Sequence, residues 1–131
     1  MKKVYRPAGN SILIERAAVA ANLFDPFRCR FIQSGTAALA AAMVACIKMK
    51  EMQAATSEII VPAYACPDLV SAVLHAGARP VLVDLEAGSP FFSCEHVLKS
   101  VTANTVAIVA INFMGLLGNI LQLKQACKNN D

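Results

Sequence analysis

An α/β fold with a mostly parallel sheet is what this sequence predicts. Short runs rich in β-branched residues alternate with longer stretches rich in Ala and Leu, the order that strand-helix-strand units leave in a chain. One of those runs, Val106 to Ile111, is apolar without a break, as strands covered on both faces are. The 131 residues fit a single domain, and a hydrophobic content of 56% exceeds the roughly 45–50% of an average soluble domain. Material for a buried core is ample.

Taken in order, the first element is a helix through Ile12 to Ala21, which makes residues 1–28 an N-terminal helical segment. A short strand follows over Cys29 to Gln33, and then a helix from about Thr36 to Met49. That helix is built almost wholly of Ala, Leu, Met and Val, so it is expected to be buried on several sides. Glu58 to Pro62 is a brief apolar run stopped by a proline, and a helix through Leu69 to His75 ends at Gly77, a residue suited to closing helices. Pro80 to Asp84 reads as the next strand, Cys94 to Lys99 as a short helix, Val106 to Ile111 as the last strand and Asn119 to about Lys128 as an amphipathic helix. No repeat, low-complexity tract or linker divides the chain.

Composition removes several function classes. Twelve basic and nine acidic residues leave a net charge of only +3, with no stripe of Lys and Arg to follow a phosphate backbone. Nucleic acid is therefore not an expected partner. The segments Phe31 to Ile47 and Ser100 to Leu123 carry no charge, and the second has the length of a bilayer span. Its Asn104, Asn112, Asn119, Gln122, Gly115 and Gly118 argue instead for a buried strand, a turn and a helix. The N-terminal apolar stretch is interrupted by Glu15 and Arg16, which spoils a secretory signal, so no membrane association and a cytoplasmic location are expected. Cys29, Cys46, Cys66, Cys94 and Cys127 are scattered, without a Cys-x-x-Cys pair or a His at ligand spacing. They read as reduced thiols, and no metal site is expected.

The most informative local feature is Gln33-Ser34-Gly35-Thr36-Ala37-Ala38-Leu39, where a small polar turn opens into a long helix. Amides of a first helical turn have no intrahelical acceptor, the helix dipole adds positive charge there, and a glycine lets backbone come close to a ligand. Such a turn can cradle a phosphate; equally, Ser34 or Thr36 can simply cap the helix. His75 and His96 read as structural or solvated groups, and Asp84 and Glu86 as carboxylates of a solvated turn at a strand end. Neither GxGxxG nor GxxxxGK[ST] occurs, which disfavours a small dinucleotide- or nucleotide-binding domain.

Four pieces in the same order resemble the DegT/DnrJ/EryC1/StrS family of sugar aminotransferases, from Ser34 to about Ala126. Ser34 to Leu39 is similar to that family's phosphate-binding turn, Glu58 to Tyr64 to its strand with a following aromatic, Ala76 to Asp84 to its next strand, and Thr105 to Ile111 with Gly115 to its fourth strand and turn. The resemblance implies a three-layer, fold-type-I large domain dependent on pyridoxal 5'-phosphate, of which 1–131 is a single incomplete part. It implies that Gly35, Thr36 and Ala37 hold the cofactor phosphate. It also implies that Cys66 stands where relatives place an aromatic or His against the pyridine ring, with Tyr64 as a second candidate for that contact. Asn112-Phe113-Met114-Gly115 departs from the His-x-Tyr-Gly order of many relatives.

The Schiff-base lysine and the carboxylate facing the pyridine nitrogen lie later in such proteins. None of Lys2, Lys3, Lys48, Lys50, Lys99, Lys124 and Lys128 stands in the family's lysine context, so no catalytic residue is assigned. The expected function is the N-terminal part of an enzyme that moves an amino group from an amino-acid donor to a nucleotide-linked keto-sugar, a homodimer in its complete form. Sugar dehydration, which some family members perform, stays open, as does an inactive truncated product or interaction module.

Overall fold

The computed structural model describes residues 4–5, 12–13, 26, 29–116 and 118–128. They fall into two compact units, Met1–Phe31 and Ile32–Asp131. In the first, β1 (Val4–Tyr5) pairs antiparallel with β2 (Ile12–Leu13), Val4 facing Leu13 and Tyr5 facing Ile12. A helix beginning at Ile12 is therefore corrected. β-Branched and aromatic residues gain more from cross-strand pairing than from a helical turn. The remainder of that expected helix lies outside the described residues.

The second unit runs α1 (Gly35–Met49), β3 (Glu58–Pro62), α2 (Asp68–His75), β4 (Arg79–Val83), α3 (Cys94–Ser100), β5 (Thr105–Ile108) and α4 (Ile120–Lys128). Its sheet has the order β4-β3-β5 and is parallel throughout. Every residue of β3 is buried, because it is the central strand. Ile59 and Val61 join Met43, Ile47, Ala72 and Val73 on one face, and Ile60 joins Val83, Phe92, Val97 and Leu123 on the other. Helices α1 and α2 cover the first face, α3 and α4 the second. These are the three layers that the family resemblance implies.

Three expectations need correction. Cys29 to Gln33 forms no strand, and all five residues are exposed. Five exposed side chains bury too little apolar surface to hold this segment in a sheet. The run Val106 to Ile111 is packed on both faces, Val106, Ala107 and Val109 against the first and Ile108 and Ala110 against the second, but it is shorter as a strand and less deeply buried than β3. β5 is an edge strand in which only Val106 is buried, and it stops at Ile108 although the Val109 amide still donates to the Ile60 carbonyl at 2.8 Å. Finally, α1 is buried along one line only, at Met43 and Ile47. Ala38, Ala41, Ala42 and Ala45 are exposed, so the low polarity of this helix does not translate into burial on all sides.

The N-terminal edge of the sheet is fastened by a buried carboxylate. Glu58, 3% exposed, accepts from the Thr102 hydroxyl at 2.7 Å and from the Arg79 guanidinium. The Thr102 hydrogen bond chiefly holds its carboxyl below the ordinary value near 4.5; burial pushes the other way, and Arg79 adds to the lowering. β4 and the approach to β5 are thus tied to β3 through one side chain. No helix among the described residues is long and apolar enough to cross a membrane.

Candidate functional site

Because β3, β4 and β5 run parallel, their C-terminal ends share one edge, and the turns leaving them gather there. In α/β sheets this edge is where ligands bind. Ser34 is the N-cap of α1. Its extended backbone (φ −153°, ψ 160°) lets its hydroxyl accept from the Ala37 amide at 3.1 Å, the usual work of an N-terminal serine. The structure thus shows the capping contact directly and engages the Ala37 amide with it. The Gly35 and Thr36 amides, in the first turn, have no intrahelical acceptor by position. A Cβ built on Gly35 would meet nothing within 4 Å. The side of the turn on which a side chain at position 35 would stand is therefore open.

Thr36 turns its hydroxyl toward the start of α2, where it donates to Asp68 Oδ2 at 3.2 Å. This contact brings the N-termini of two helices to one place and joins the Ser34 turn to the chain leaving β3. That chain carries Tyr64, Cys66 and Pro67 in sequence. Cys66 is exposed, and its carbonyl accepts from the Leu69 amide at 3.0 Å, a turn that brings the chain round into α2. Tyr64 is 65% exposed and packs its ring against Phe113, centroids 6.3 Å apart with a 52° tilt. Phe113 belongs to a short 3-10 turn after β5 that continues through Met114 (φ 50°) and Gly115 (φ 79°), both left-handed. Asn112 steadies this turn by accepting from the Gly118 amide at 3.0 Å.

The turn from Ser34 to Ala37 and the turn around Cys66 are therefore linked through a residue that sequence reasoning passed over, Asp68. Its signal was available: an acidic residue directly after Pro67, opening a helix that follows a strand. Asp84 and Glu86 are exposed; Asp84 Oδ1 accepts from the Leu85 amide at 2.8 Å, as turn carboxylates do. His75 closes the far end of α2, and His96 is exposed on α3. No group of His, Cys, Asp and Glu among the described residues could hold a metal ion.

A parallel sheet layered between helices, with a Ser-Gly-Thr turn opening the first of those helices, is the architecture of an α/β domain. Residues 21–131 match the DegT/DnrJ/EryC1/StrS aminotransferase family, and the chain belongs to it. It is 30% identical over 70 residues to a GDP-perosamine synthase from Vibrio cholerae, a stretch that is 53% of this chain and 19% of that protein. Among solved structures it resembles a Streptococcus pneumoniae protein assigned as a sugar aminotransferase, in its PLP-form, with a TM-score of 0.60 and 25% identity, over 70% of this chain and 23% of that one. The fold is also that of an aminotransferase from Helicobacter pylori involved in the biosynthesis of pseudoaminic acid, with a TM-score of 0.58 at 20% identity, over 72% of this chain and 25% of that one. The matches span about a fifth to a quarter of these relatives' length. The sheet and its flanking helices agree with part of a fold-type-I domain, and the cofactor that the family implies is pyridoxal phosphate.

Proposed function

We propose that this chain is the phosphate-holding part of the large domain of a pyridoxal-phosphate-dependent aminotransferase that acts on a nucleotide-linked keto-sugar with an amino-acid donor. The observation that carries this is the Ser34-Gly35-Thr36 turn opening α1, with open space where a side chain at position 35 would stand and with Gly35 and Thr36 amides that have no intrahelical acceptor. That donor set suits a phosphate dianion, which takes up several N–H and O–H donors at once and is favoured by the helix dipole.

In this reading Gly35 and Thr36 bind the phosphate through their amides and the Thr36 hydroxyl, with Ala37 contributing once Ser34 releases its amide. The bound cofactor supplies an electron-accepting ring that stabilises negative charge at the substrate carbon. Cys66 covers one part of that ring, and the exposed Tyr64, braced by Phe113, supplies apolar area that a thiol lacks. None of the seven lysines is the lysine that moves the substrate proton. Residues 1–131 are one contiguous, incomplete part of the large domain of an enzyme that works as a homodimer in the cytoplasm on small-molecule substrates.

Binding of pyridoxal phosphate by residues 1–131 alone is expected to be weak or absent, so cofactor titration of point variants of the full-length protein tests the cradle. Gly35→Val puts a branched side chain into the open space at this turn, whereas Cys66→Ala removes only a small contact. The valine variant should lose roughly ten- to a hundredfold in affinity for pyridoxal phosphate, the range expected when one or two charge-assisted hydrogen bonds are lost. The alanine variant should lose a few-fold at most. Equal losses would remove Gly35, Thr36 and Ala37 from the phosphate site.

A further inference from the structure

The second face of the sheet is covered more lightly than the first. Helices α3 and α4 bury one residue each, Val97 and Leu123, where α1 and α2 bury two. Beside that pair stand two thiols. Cys94 precedes Val97 by three positions and Cys127 follows Leu123 by four, spacings that place residues on one side of a helix. Both cysteines pack against the cluster of Ile60, Val83, Phe92, Val97 and Leu123, and α3 lies against α4. Each thiol is half-buried, so neither is sealed from a small reagent. The other three cysteines stand elsewhere: Cys46 on α1 at the opposite face, Cys66 exposed at the C-terminal edge, and Cys29 in the first unit. Burial pushes the Cys94 thiol up, and the charges of Glu86 and Cys127 add to the rise. Cys127 is thus within electrostatic reach of Cys94, and Cys94 waits as a protonated thiol rather than a reactive thiolate.

We propose that Cys94 and Cys127 form a reversible disulfide that staples α3 to α4 over the second face of the sheet, with a low-molecular-weight disulfide as the oxidant. The thiolate of one cysteine attacks a sulfur of that reagent, whose S–S bond breaks; a mixed disulfide forms and one small thiolate leaves. The second cysteine gives up its proton and attacks the protein sulfur of the mixed disulfide, closing the bridge and expelling the second small thiolate. Two protein thiols lose two electrons, the reagent is reduced to two thiols, and the two protons pass to the leaving groups. A reducing thiol pool keeps the pair open and a more oxidising one closes it. The Asn119 side-chain amide, donating to the Phe92 carbonyl at 2.9 Å, already fastens the start of α4; the bridge fastens its end.

The test incubates the 131-residue chain with oxidised glutathione, then maps disulfide-linked peptides in the single-chain band of a denaturing, non-reducing gel. A link between Cys94 and Cys127 should be present in most chains, while Cys29 and Cys66 carry glutathione. The thermal midpoint should rise by about 5–15 °C over the reduced chain, the size expected when a loop of roughly thirty residues is closed, and dithiothreitol should reverse the rise. Cys94→Ser and Cys127→Ala should each remove both the link and the rise. Each variant is compared with its own reduced form, so that lost packing does not imitate a lost bridge. Oxidation in concentrated urea should abolish the preference for this pair, because Cys46 and Cys66 are closer in sequence and close a shorter loop.

Glutathione on both Cys94 and Cys127 would overturn the proposal, as would an untouched pair under conditions that modify Cys66. A link that forms in the native chain without raising the midpoint would overturn the staple.

Discussion

Truncating neighbouring side chains of β3 measures the two faces of the sheet separately. Ile59 and Ile60 are both fully buried, yet they point to opposite sides. Replacing either with alanine removes three carbons from the core, which at about 0.8 kcal/mol per buried methylene costs about 2.4 kcal/mol before any cavity remains. The cavity term depends on how far the surroundings can collapse. Around Ile59 stand Met43 and Ile47 of the fifteen-residue α1, and Ala72 and Val73 of α2. A long helix cannot shift locally to fill a hole, so Ile59→Ala should cost about 3–4 kcal/mol. Around Ile60 stand Val83 at the end of β4, Phe92 in the chain between β4 and α3, Val97 of the seven-residue α3 and Leu123 of the nine-residue α4. These adjust more easily, and Ile60→Ala should cost about 2–3 kcal/mol. Urea unfolding followed by circular dichroism gives both values from shifts in midpoint at constant slope. A cost below about 1 kcal/mol for Ile60→Ala would show that α3 and α4 do not cover that face in solution, and the layered arrangement would be wrong on that side.

Two further outcomes follow from other residues. Glu58 has a carboxyl held below its ordinary value near 4.5, so the stability it contributes is complete above that pH and is lost as pH falls through the lowered folded value. Glu58→Gln should accordingly be less stable than the parent at pH 7, and the gap should close as pH falls through the lowered folded value; a gap independent of pH in paired urea titrations would mean that charge plays no part. Gly77 has φ +78°, and a Cβ there would sit 3.3 Å from Ala54 Cβ. Gly77→Ala should lower stability by about 1–2 kcal/mol from left-handed strain, and an unchanged thermal midpoint would show that this turn relaxes freely.

The elements that could be read from the residues are those whose signals are local. β3 spans the same five residues as the apolar run Glu58 to Pro62, and Gly77 closes α2 through a left-handed conformation that glycine tolerates. Proline and glycine punctuation bounded these segments without knowledge of their neighbours. Cys29 to Gln33 has the composition of a strand, but composition says nothing about whether a partner strand is present. Ile12 and Leu13 fit a helical pattern until Val4 and Tyr5 are seen to pair with them. The same limit applied to the site. The small polar turn at Ser34 to Ala37 was visible, whereas the hydrogen bond from Thr36 spans 32 positions to Asp68, and that of Glu58 spans 44 to Thr102. Neither spacing leaves a periodic trace.

The parallel sheet divides the labour between its two edges. At the N-terminal edge Glu58 fixes β4 and the chain before β5 to β3 through Arg79 and Thr102, a buried arrangement whose disruption would leave a charge without partners. At the C-terminal edge Tyr64, Cys66, Asp68 and Met114 are exposed, and most of their contacts lie within turns. Substitution there disturbs few buried groups, so this edge can change its side chains while the sheet stays intact. Cys66, standing where the family resemblance implies an aromatic or His, is a substitution of that kind. On the proposed function, the smaller ring-covering area at that position would cost the fold little and would leave the work of holding a planar ligand to the Tyr64 and Phe113 pair. The chemistry of this chain can therefore diverge from that of its relatives through residues 63–68 and 112–116 alone, with the buried side chains of β3 unchanged.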